Sequence, residues 1–589
     1  MTPYQRTWIG PIRIRVGSMC GYGIMRGISR ILCSPLNRRF PRAAGAASYK
    51  HRPSGPSMDR APRRFTAAFL PLPPALKGKP AGALTLQEAC AIFRTACRPA
   101  PHYGNGEAEL NTGDLMRFGC WIHGESVTGN DRSAVVDPAT EECFAEVPVC
   151  DAALVDRAVA SASEALTAWR REPTVKRVAC LRRLSQKILE YAEELTALVV
   201  REVGKPTAAA RSEVENAAEL VGYFAEEALR LSGEIPCLNV PKEQVLILRE
   251  PVGVVAAVTP FNYPLSTLAC KIAPALGVGC TVVAKPDEHT PLATLKVAQL
   301  ASEAGFPPGA FNVVTGFGLQ TGRLLVSHPV PRLVAFTGSS EVGKEIQKNG
   351  ADHVKRLILE LGGHCPAILC ADAPWRSVVP QMISQAFKNS GQYCYRISRI
   401  YVDRRIAAEF TEAFVKAASA LKVGPPGDPA TQLGPLNNPD VLETVRRQVE
   451  AAVGSGATIL LGGRRLETRS AGYYFPPTVL TGTHPGMEVM QEEVFGPVVV
   501  IEPFDDLQEA IRMANATPYG LAAYLFTADL GKALERAGEL EVGSLWINRI
   551  HQALPFAPFG GVKESGLGRE KSRFGVQEYT ELKTIYLSY

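Results

Sequence analysis

The pattern of apolar and polar positions changes character along the chain. After Asp151, a residue suited to cap a helix, apolar side chains at Val155, Val159, Ala162, Leu166 and Trp169 recur every three or four positions. That spacing predicts a helix running toward Pro173. A second stripe through Leu181, Leu184, Ile188, Leu195 and Leu198 predicts one helix that stops at Gly204-Lys205-Pro206, where a left-handed cap precedes a ring without an N–H. A third helix is expected over about 214–231. From Val252 short β-branched runs take over, at 252–258, 281–284, 311–314, 333–336 and 357–359, separated by helical segments. Strands that are apolar throughout, each followed by a crossover, specify a parallel sheet covered on both faces, the doubly wound α/β class.

A second series of strands near 367–369, 400–402 and 498–504 predicts a second α/β domain. The intervals 237–250 and 578–587 lack helical periodicity and read as extended strands able to pair at a sheet edge, with an oligomer contact as their expected use. In doubly wound sheets ligands bind beyond the carboxyl ends of the strands. Here each strand of the first series runs into a distinctive turn. These are Thr259-Pro260-Phe261-Asn262, Lys285-Pro286-Asp287-Glu288, Gly316-Phe317-Gly318, Thr337-Gly338-Ser339 and Glu360-Leu361-Gly362-Gly363.

Charge divides the chain unequally. Residues 1–115 carry 17 basic and 5 acidic side chains, which leaves 47 basic against 53 acidic for the remainder. The net charge of +6 therefore belongs to the first segment, and the body is mildly acidic. A phosphate-tracking surface is not expected from such a body, so nucleic acid is set aside as a partner. No run reaches the roughly 18 apolar residues of a spanning helix, and no membrane association is expected. The first 65 residues hold 13 basic residues, one acidic residue and many Pro, Gly and Ser. Residues 1–115 read as an unstructured upstream stretch from a start codon called too early, with Met116 as the natural start. An organelle transit peptide and a disordered regulatory tail are the alternatives. A cytoplasmic location is expected, or a mitochondrial one if the transit reading holds. Fourteen cysteines without a Cys-x-x-Cys pair argue against a disulfide framework and a structural zinc site. No metal is expected.

Three residues could carry chemistry. Cys394, in Gly391-Gln392-Tyr393-Cys394, follows a helix and precedes a strand, which would place its thiol at a helix terminus. A single cysteine is more often a small buried hydrophobe. Glu360 closes a strand before two glycines and suits a general base, although strand-end carboxylates are ordinarily solvated or paired. Asn262 could donate its amide to an oxyanion, or serve only its own turn. Gly338-Ser339 opening a helix offers N–H groups to a phosphate. No G-x-G-x-x-G fingerprint accompanies it.

Taken in order these turns resemble the NAD(P)-dependent aldehyde dehydrogenase superfamily over about residues 117–589. Glu492-Glu493-Val494-Phe495-Gly496-Pro497 and the glycine-rich run 558–566 extend the likeness. Within the superfamily the run 558–569 and the tail look most like the succinate-semialdehyde and short-aldehyde branch. The resemblance implies two doubly wound parallel-sheet domains plus a small β oligomerisation element. Residues 116–236 and 251–362 would bind NAD, 363–570 would form the catalytic domain, and 237–250 and 571–589 would supply oligomerisation strands. A homodimer or homotetramer is implied.

The implied reaction oxidises an aldehyde to a carboxylic acid. Cys394 would add to the carbonyl, Asn262 would hold the oxyanion, Glu360 would activate the water that hydrolyses the thioester, and Lys271 would lie near the catalytic centre. Relatives that acylate coenzyme A generally lack the carboxylate, so hydrolysis is favoured, with coenzyme A acylation and a non-catalytic role as alternatives. The cofactor contacts implied are Lys285 and Glu288 on the adenosine ribose, and Gly338 and Ser339 near the pyrophosphate. Glu493 would hold the nicotinamide ribose with Phe495 beside the ring. Thr259, Pro260, Gly318 and Leu361 complete the set. Glu288 would repel a 2′-phosphate, so NAD is expected with NADP as a second option. Where the short-aldehyde branch carries arginines for a distal carboxylate, this chain holds Cys270 and Lys388. The implied substrate contacts are Lys388, Tyr393, Tyr395 and Arg396. Arg396 also stands where some members keep a redox-switch cysteine.

Overall fold

A computed structural model describes residues 115–466, 471–552 and 554–589. The readings made for residues 1–114 fall outside the described residues. Two open sheets dominate. The first has eight strands in the order Gly566–Leu567, Arg356–Glu360, Leu333–Thr337, Val254–Val258, Thr281–Lys285, Phe311–Val313, Cys120–Ile122 and Glu125–Val127. Its five central strands are parallel. The second sheet orders Thr458–Leu461, Thr478–Thr481, Val498–Phe504, Ile397–Asp403, Cys365–Leu369, Ala522–Phe526 and Ser544–Ile547, parallel except for the first pairing.

The unbroken apolar runs have a direct cause. In strand Val254–Val258, Val255 and Ala257 pack into the core on one face while Val254 and Ala256 pack into the core on the other. Strand Cys365–Leu369 behaves alike, with Ala367 and Leu369 on one side and Ile368 on the other. Successive side chains point to opposite faces, so a strand buried on both has no polar position to spare. A fully buried Val or Leu contributes about 1.5–3 kcal/mol, which makes these strands the firmest part of the fold.

Helix Ala152–Trp169 begins as expected, with the Asp151 carboxylate accepting from the Leu154 N–H at 3.0 Å. The single helix expected through Leu181 and Leu198 is instead two, Thr174–Glu190 and Ala192–Val203. They divide at Tyr191, whose φ of −99° and ψ of 21° leave the helical range, with its ring beneath the Lys187 and Lys296 ammonium groups. The apolar stripe is continuous across the break, so the pattern hid it. Helix Thr207–Leu229, the fourth, answers to the one expected over 214–231 and begins earlier than that.

The two extended intervals pair with each other. Strand Glu243–Pro251 runs antiparallel to Thr580–Ser588 over nine residue pairs. The expected bounds need correcting at both ends. Residues 237–242 lie outside the strand, and within 571–589 a helix, Ser572–Glu578, precedes it and buries Val576 in the first core. Gly566–Leu567, expected with the second domain, is an antiparallel edge strand of the first sheet. Among the described residues no helix is long and apolar enough to cross a membrane.

The sheets are joined by a short link. Strand Arg356–Glu360 passes through residues 361–364 directly into strand Cys365–Leu369. The Gly204 cap sets the other approach, with φ of +81°. A Cβ at Gly204 would meet Pro138 Cγ and Pro435 Cγ, each at 2.8 Å. Gly204→Ala is expected to cost about 1–3 kcal/mol, from the left-handed backbone and the two proline contacts together. A lower thermal melting temperature, with the fold retained by circular dichroism, would be the reading.

Candidate active site

Beyond the carboxyl ends of the first sheet lies a cavity of about 910 Å³, closed on its far side by the loop that precedes strand Ile397–Asp403. Asn262, Glu360 and Cys394 all line it. So do Pro260, Gly338, Ser339, Leu361, Glu493 and Phe495. Lys388, Tyr393 and Tyr395 form part of the same wall.

Cys394 does not sit at a helix terminus, contrary to the expectation. Helix Trp375–Phe387 ends in a tight turn over Lys388–Gly391, where Asn389 and Ser390 take φ of 52° and 55°. Gly391, at φ +76°, lies so close to Gly496 that a Cβ would fall 2.1 Å from the Gly496 carbonyl oxygen. The chain therefore doubles back, and Cys394 follows three residues later on the cavity wall. Burial pushes the thiol well above its usual range, reinforced by Glu493, Cys365 and Glu360. A thiol so placed is protonated at rest and needs a base.

Glu360 is 3% exposed, and neither carboxylate oxygen has a hydrogen-bond partner. Desolvation raises its proton affinity well above that of an ordinary carboxylate, Glu570 raises it further, and Lys271, Arg569 and Lys571 oppose the shift. A buried polar group without a partner is costly, and such costs concentrate where chemistry occurs. Gly560 leaves the space it needs, since a Cβ there would lie 2.8 Å from Glu360 Oε1.

Asn262 is held from two sides. Its Nδ2 donates to the Gln392 carbonyl at 2.9 Å, which leaves the second amide N–H unused. Its own carbonyl accepts from Lys205 Nζ at 2.8 Å and from Asn389 Nδ2 at 3.3 Å. Lys205, read in the sequence only as part of a helix stop, is fully buried in an ion pair with Glu213 and stands 3.6 Å from the Tyr263 ring centre. Glu213 in turn accepts the Leu265 N–H at 3.0 Å, at the start of helix Pro264–Val278. The sequence reading missed both partners. A lysine next to a helix-ending glycine carries no signal of burial, and only packing reveals the pair.

Glu493 Oε1 accepts the Gly363 N–H at 3.0 Å, and burial pushes its carboxyl up to about 7. A Cβ at Gly362 would meet Glu493 Oε2 at 2.7 Å, so the glycine is required by the approach of this carboxylate. Phe495 stacks edge-on against Phe261 at 5.7 Å. Ser339 caps helix Ser340–Gly350 through its hydroxyl, leaving Gly338 at the cavity.

Four proposed cofactor residues lie outside this cavity but close to one another. Lys285 Nζ pairs with Glu288 Oε2 at 2.9 Å, the Gly318 N–H reaches Glu288 Oε1 at 3.5 Å, and the Thr259 N–H donates to the Lys285 carbonyl at 3.2 Å. The set suits an adenine dinucleotide on structural grounds. The Thr259 hydroxyl is buried without a partner, and a side chain at Gly318 would meet nothing within 4 Å, so the backbone there stands open to a ligand.

Two expectations are corrected. Lys271 does not line the cavity. It is fully buried behind the wall and donates to Thr337 Oγ1 at 2.5 Å and Glu570 Oε1 at 2.6 Å, yet it lies near enough to the site that its charge lowers the proton affinity of Glu360. Arg396 is also buried away from the cavity, with its guanidinium donating to the carbonyls of Val494, Ala386, Ile397 and Val498. Four of its five N–H donors go to backbone carbonyls and the guanidinium does not line the cavity, so it braces the loops carrying Cys394 and Glu493. Of the two tyrosines, Tyr393 is 2% exposed and donates to the Gln385 carbonyl, while Tyr395 stacks on His551 at 4.0 Å and meets Phe559 edge-on at 5.5 Å. His551, Phe559, Glu570 and Lys571 complete the wall and were not singled out from the sequence.

Residues 121–585 match the model of the aldehyde dehydrogenase family. The chain belongs to the aldehyde dehydrogenase family. It is 41% identical over 462 residues to a probable NADP(+) succinate-semialdehyde dehydrogenase of Sinorhizobium fredii, covering 78% of this chain and 94% of the relative. It is 39% identical over 470 residues to the 3-sulfolactaldehyde dehydrogenase of Pseudomonas putida, covering 80% and 96%. Among solved structures, betaine aldehyde dehydrogenase of Staphylococcus aureus in complex with NAD+ superposes with a TM-score of 0.78 at 37% identity, covering 80% of this chain and 94% of that one. The two-sheet α/β architecture is that of this family.

The Glu360 carboxyl gives this aldehyde dehydrogenase a pH signature. Its proton affinity is higher folded than unfolded, so the folded state holds the proton more tightly, and stability falls as pH rises from about 4.5 through the raised value. Glu360→Gln removes that loss. The variant is expected to melt above the unmodified protein at pH 8, with the gap closing toward pH 4.5. A gap independent of pH would contradict the assignment.

Proposed function

We propose that the protein oxidises a short aldehyde with an anionic far end to the corresponding carboxylic acid, using NAD or NADP. The observation that carries this reading is the meeting of Cys394, the free amide N–H of Asn262 and the unpartnered Glu360 carboxylate in one cavity. Glu360, with its raised proton affinity, accepts the Cys394 proton. The thiolate adds to the carbonyl carbon, and the resulting oxyanion is held by Asn262 Nδ2 and the Cys394 backbone N–H. Glu493, Phe495, Gly338, Ser339, Pro260 and Leu361, which line the cavity, would hold a nicotinamide dinucleotide, and that group would supply the hydride acceptor. Loss of hydride from the adduct leaves a thioester on Cys394. Glu360 passes the first proton to solvent and then takes a proton from water, whose oxygen attacks the thioester carbon; the carbon–sulfur bond breaks, releasing the acid and leaving the Cys394 thiolate.

Relatives named for succinate semialdehyde and for 3-sulfolactaldehyde, both anionic aldehydes, support the substrate class. Glu288 favours NAD, while Lys285 at 2.9 Å offsets part of its repulsion toward a 2′-phosphate and makes NADP the second cofactor. We assign a homo-oligomer through the ribbon of Glu243–Pro251 and Thr580–Ser588, where Leu582 and Tyr586 stand 61% and 79% exposed. We propose a cytoplasmic location, with a mitochondrial one if residues 1–115 serve as a transit peptide; both bacterial and mitochondrial proteins are among the relatives.

Cys394→Ala is expected to lower NADH formation by about a thousandfold or more. Glu360→Gln should lower both the first-turnover burst of NADH and the steady rate, read by stopped flow; a full burst that stalls as the thioester by intact mass would confine Glu360 to the hydrolytic step. Steady turnover that requires coenzyme A would favour acyl transfer over hydrolysis. Leu582→Glu combined with Tyr586→Glu should lower the mass measured by light scattering; an unchanged mass would remove the ribbon from the interface.

A further inference from the structure

The cavity wall carries two cations that the reaction does not use. We propose that Lys571, together with Lys388, determines specificity by binding the anionic end of the substrate, and that this pair reads the charge of the anion rather than its shape. The inference rests on the reading of Cys394 as the nucleophile for aldehydes in this cavity.

Both lysines line the cavity. Among the described residues neither ammonium group has a hydrogen-bonding or ion-pair partner, and the Lys571 group lies 5.1 Å from the centre of the Phe559 ring. Two of the three nearby carboxylates are taken, and the third is buried. Glu570 pairs with Lys271 at 2.6 Å, Glu213 is in its buried pair with Lys205, and Glu360 has a raised proton affinity. His551 between them cannot add a competing charge. Burial, followed by Lys571, Lys388 and Arg549, pushes its imidazolium down to about 2. Two uncompensated cations beside an aromatic wall formed by Tyr395, His551 and Phe559 suit an anion with a short apolar stem.

The backbone at Lys571 strengthens the case. Its φ of 60° and ψ of 175° fall where glycine is normally found, and Ser572 follows with φ of 54°. The strained turn is held by the Ser572 N–H on the Pro555 carbonyl and the Gly575 N–H on the Lys571 carbonyl, each at 2.8 Å. Glycine would satisfy this geometry without strain, so the side chain is retained against the local preference of the backbone. An ammonium is a point charge, without the planar fork by which a guanidinium matches a carboxylate. A lysine pair should therefore accept a planar carboxylate and a tetrahedral sulfonate alike.

The test compares the full chain with Lys571→Met, Lys571→Gly and Lys388→Met, on a carboxylate-ended four-carbon aldehyde, its sulfonate-ended counterpart and butanal. For the unmodified protein, kcat/KM for the two anionic aldehydes should agree within about tenfold and exceed that for butanal. Lys571→Met should raise KM for both anionic aldehydes by about tenfold, with KM for butanal changed less than about twofold, whatever common change in kcat follows from its effect on Glu360. Lys571→Gly should show the same rise in KM with a higher melting temperature, which a purely structural lysine would not give. Alkylation of Cys394, followed by peptide mass spectrometry, supplies a readout independent of aldehyde oxidation. The rate ratio of iodoacetate to iodoacetamide should fall several-fold in Lys571→Met. An unchanged anion-to-neutral ratio in both assays would overturn the proposal, as would an equal rise in KM for butanal. If no aldehyde were oxidised while the alkylation ratio still fell, the anion site would stand and the oxidation reading would fail.

Discussion

The register of the first parallel sheet is the constraint on which the site depends. Val258 lies opposite both Phe336 and Lys285, and Thr337 lies opposite Glu360. Four neighbouring strands thus end at one level, and the turns that follow them open onto the same rim. Both faces of each strand are buried, and a slip along the ladder would carry apolar side chains out of two cores at once. The packing that fixes the register therefore also fixes where Asn262, Gly338 and Glu360 stand. Cys394 arrives from the second sheet, and the short link through residues 361–364 keeps the sheets close enough for the two halves to meet.

Around that rim the molecule holds an unusual concentration of buried charge. Lys205 and Glu213 form one pair, and Lys271 and Glu570 another. Arg396 has no carboxylate within hydrogen-bonding reach and spends its donors on four carbonyls. Buried pairs of this kind seldom add net stability, because desolvation offsets their attraction, but breaking one leaves a charge stranded. Their value here is positional. The first pair fixes the Asn262 turn to the start of helix Pro264–Val278, and the second keeps Glu570 beside Glu360. Among the described residues neither oxygen of the Glu360 carboxyl has a partner, which suits the general base proposed for it.

Much of this was legible from residue order. The strands of both sheets appear as unbroken apolar runs because burial on two faces leaves no alternation, and the glycine pair after Glu360 marks a close approach, which proves to be that of Glu493 to Gly362. The helix break at Tyr191 was not legible, since an apolar stripe survives a small change of φ and ψ. Nor was the fate of Arg396. An arginine beside the nucleophile looks like an anion contact in one dimension, and only the fold turns its guanidinium toward backbone carbonyls. Lys271 was expected near the catalytic centre from the family resemblance; its charge does act on Glu360, although Thr337 and Glu570 stand between its ammonium and the cavity.

The sequence by itself determined the class of fold and the order of the turns, and it supplied the candidates for nucleophile, base and amide donor, because each rests on local pattern: strand periodicity, turn chemistry and motifs shared across a family. The tertiary structure alone decided which charges are buried, which are paired and which face the cavity. Those properties depend on neighbours hundreds of residues apart, as with Lys271 and Glu570. Desolvation and pairing are set by the packed surroundings, and no spacing along the chain encodes them.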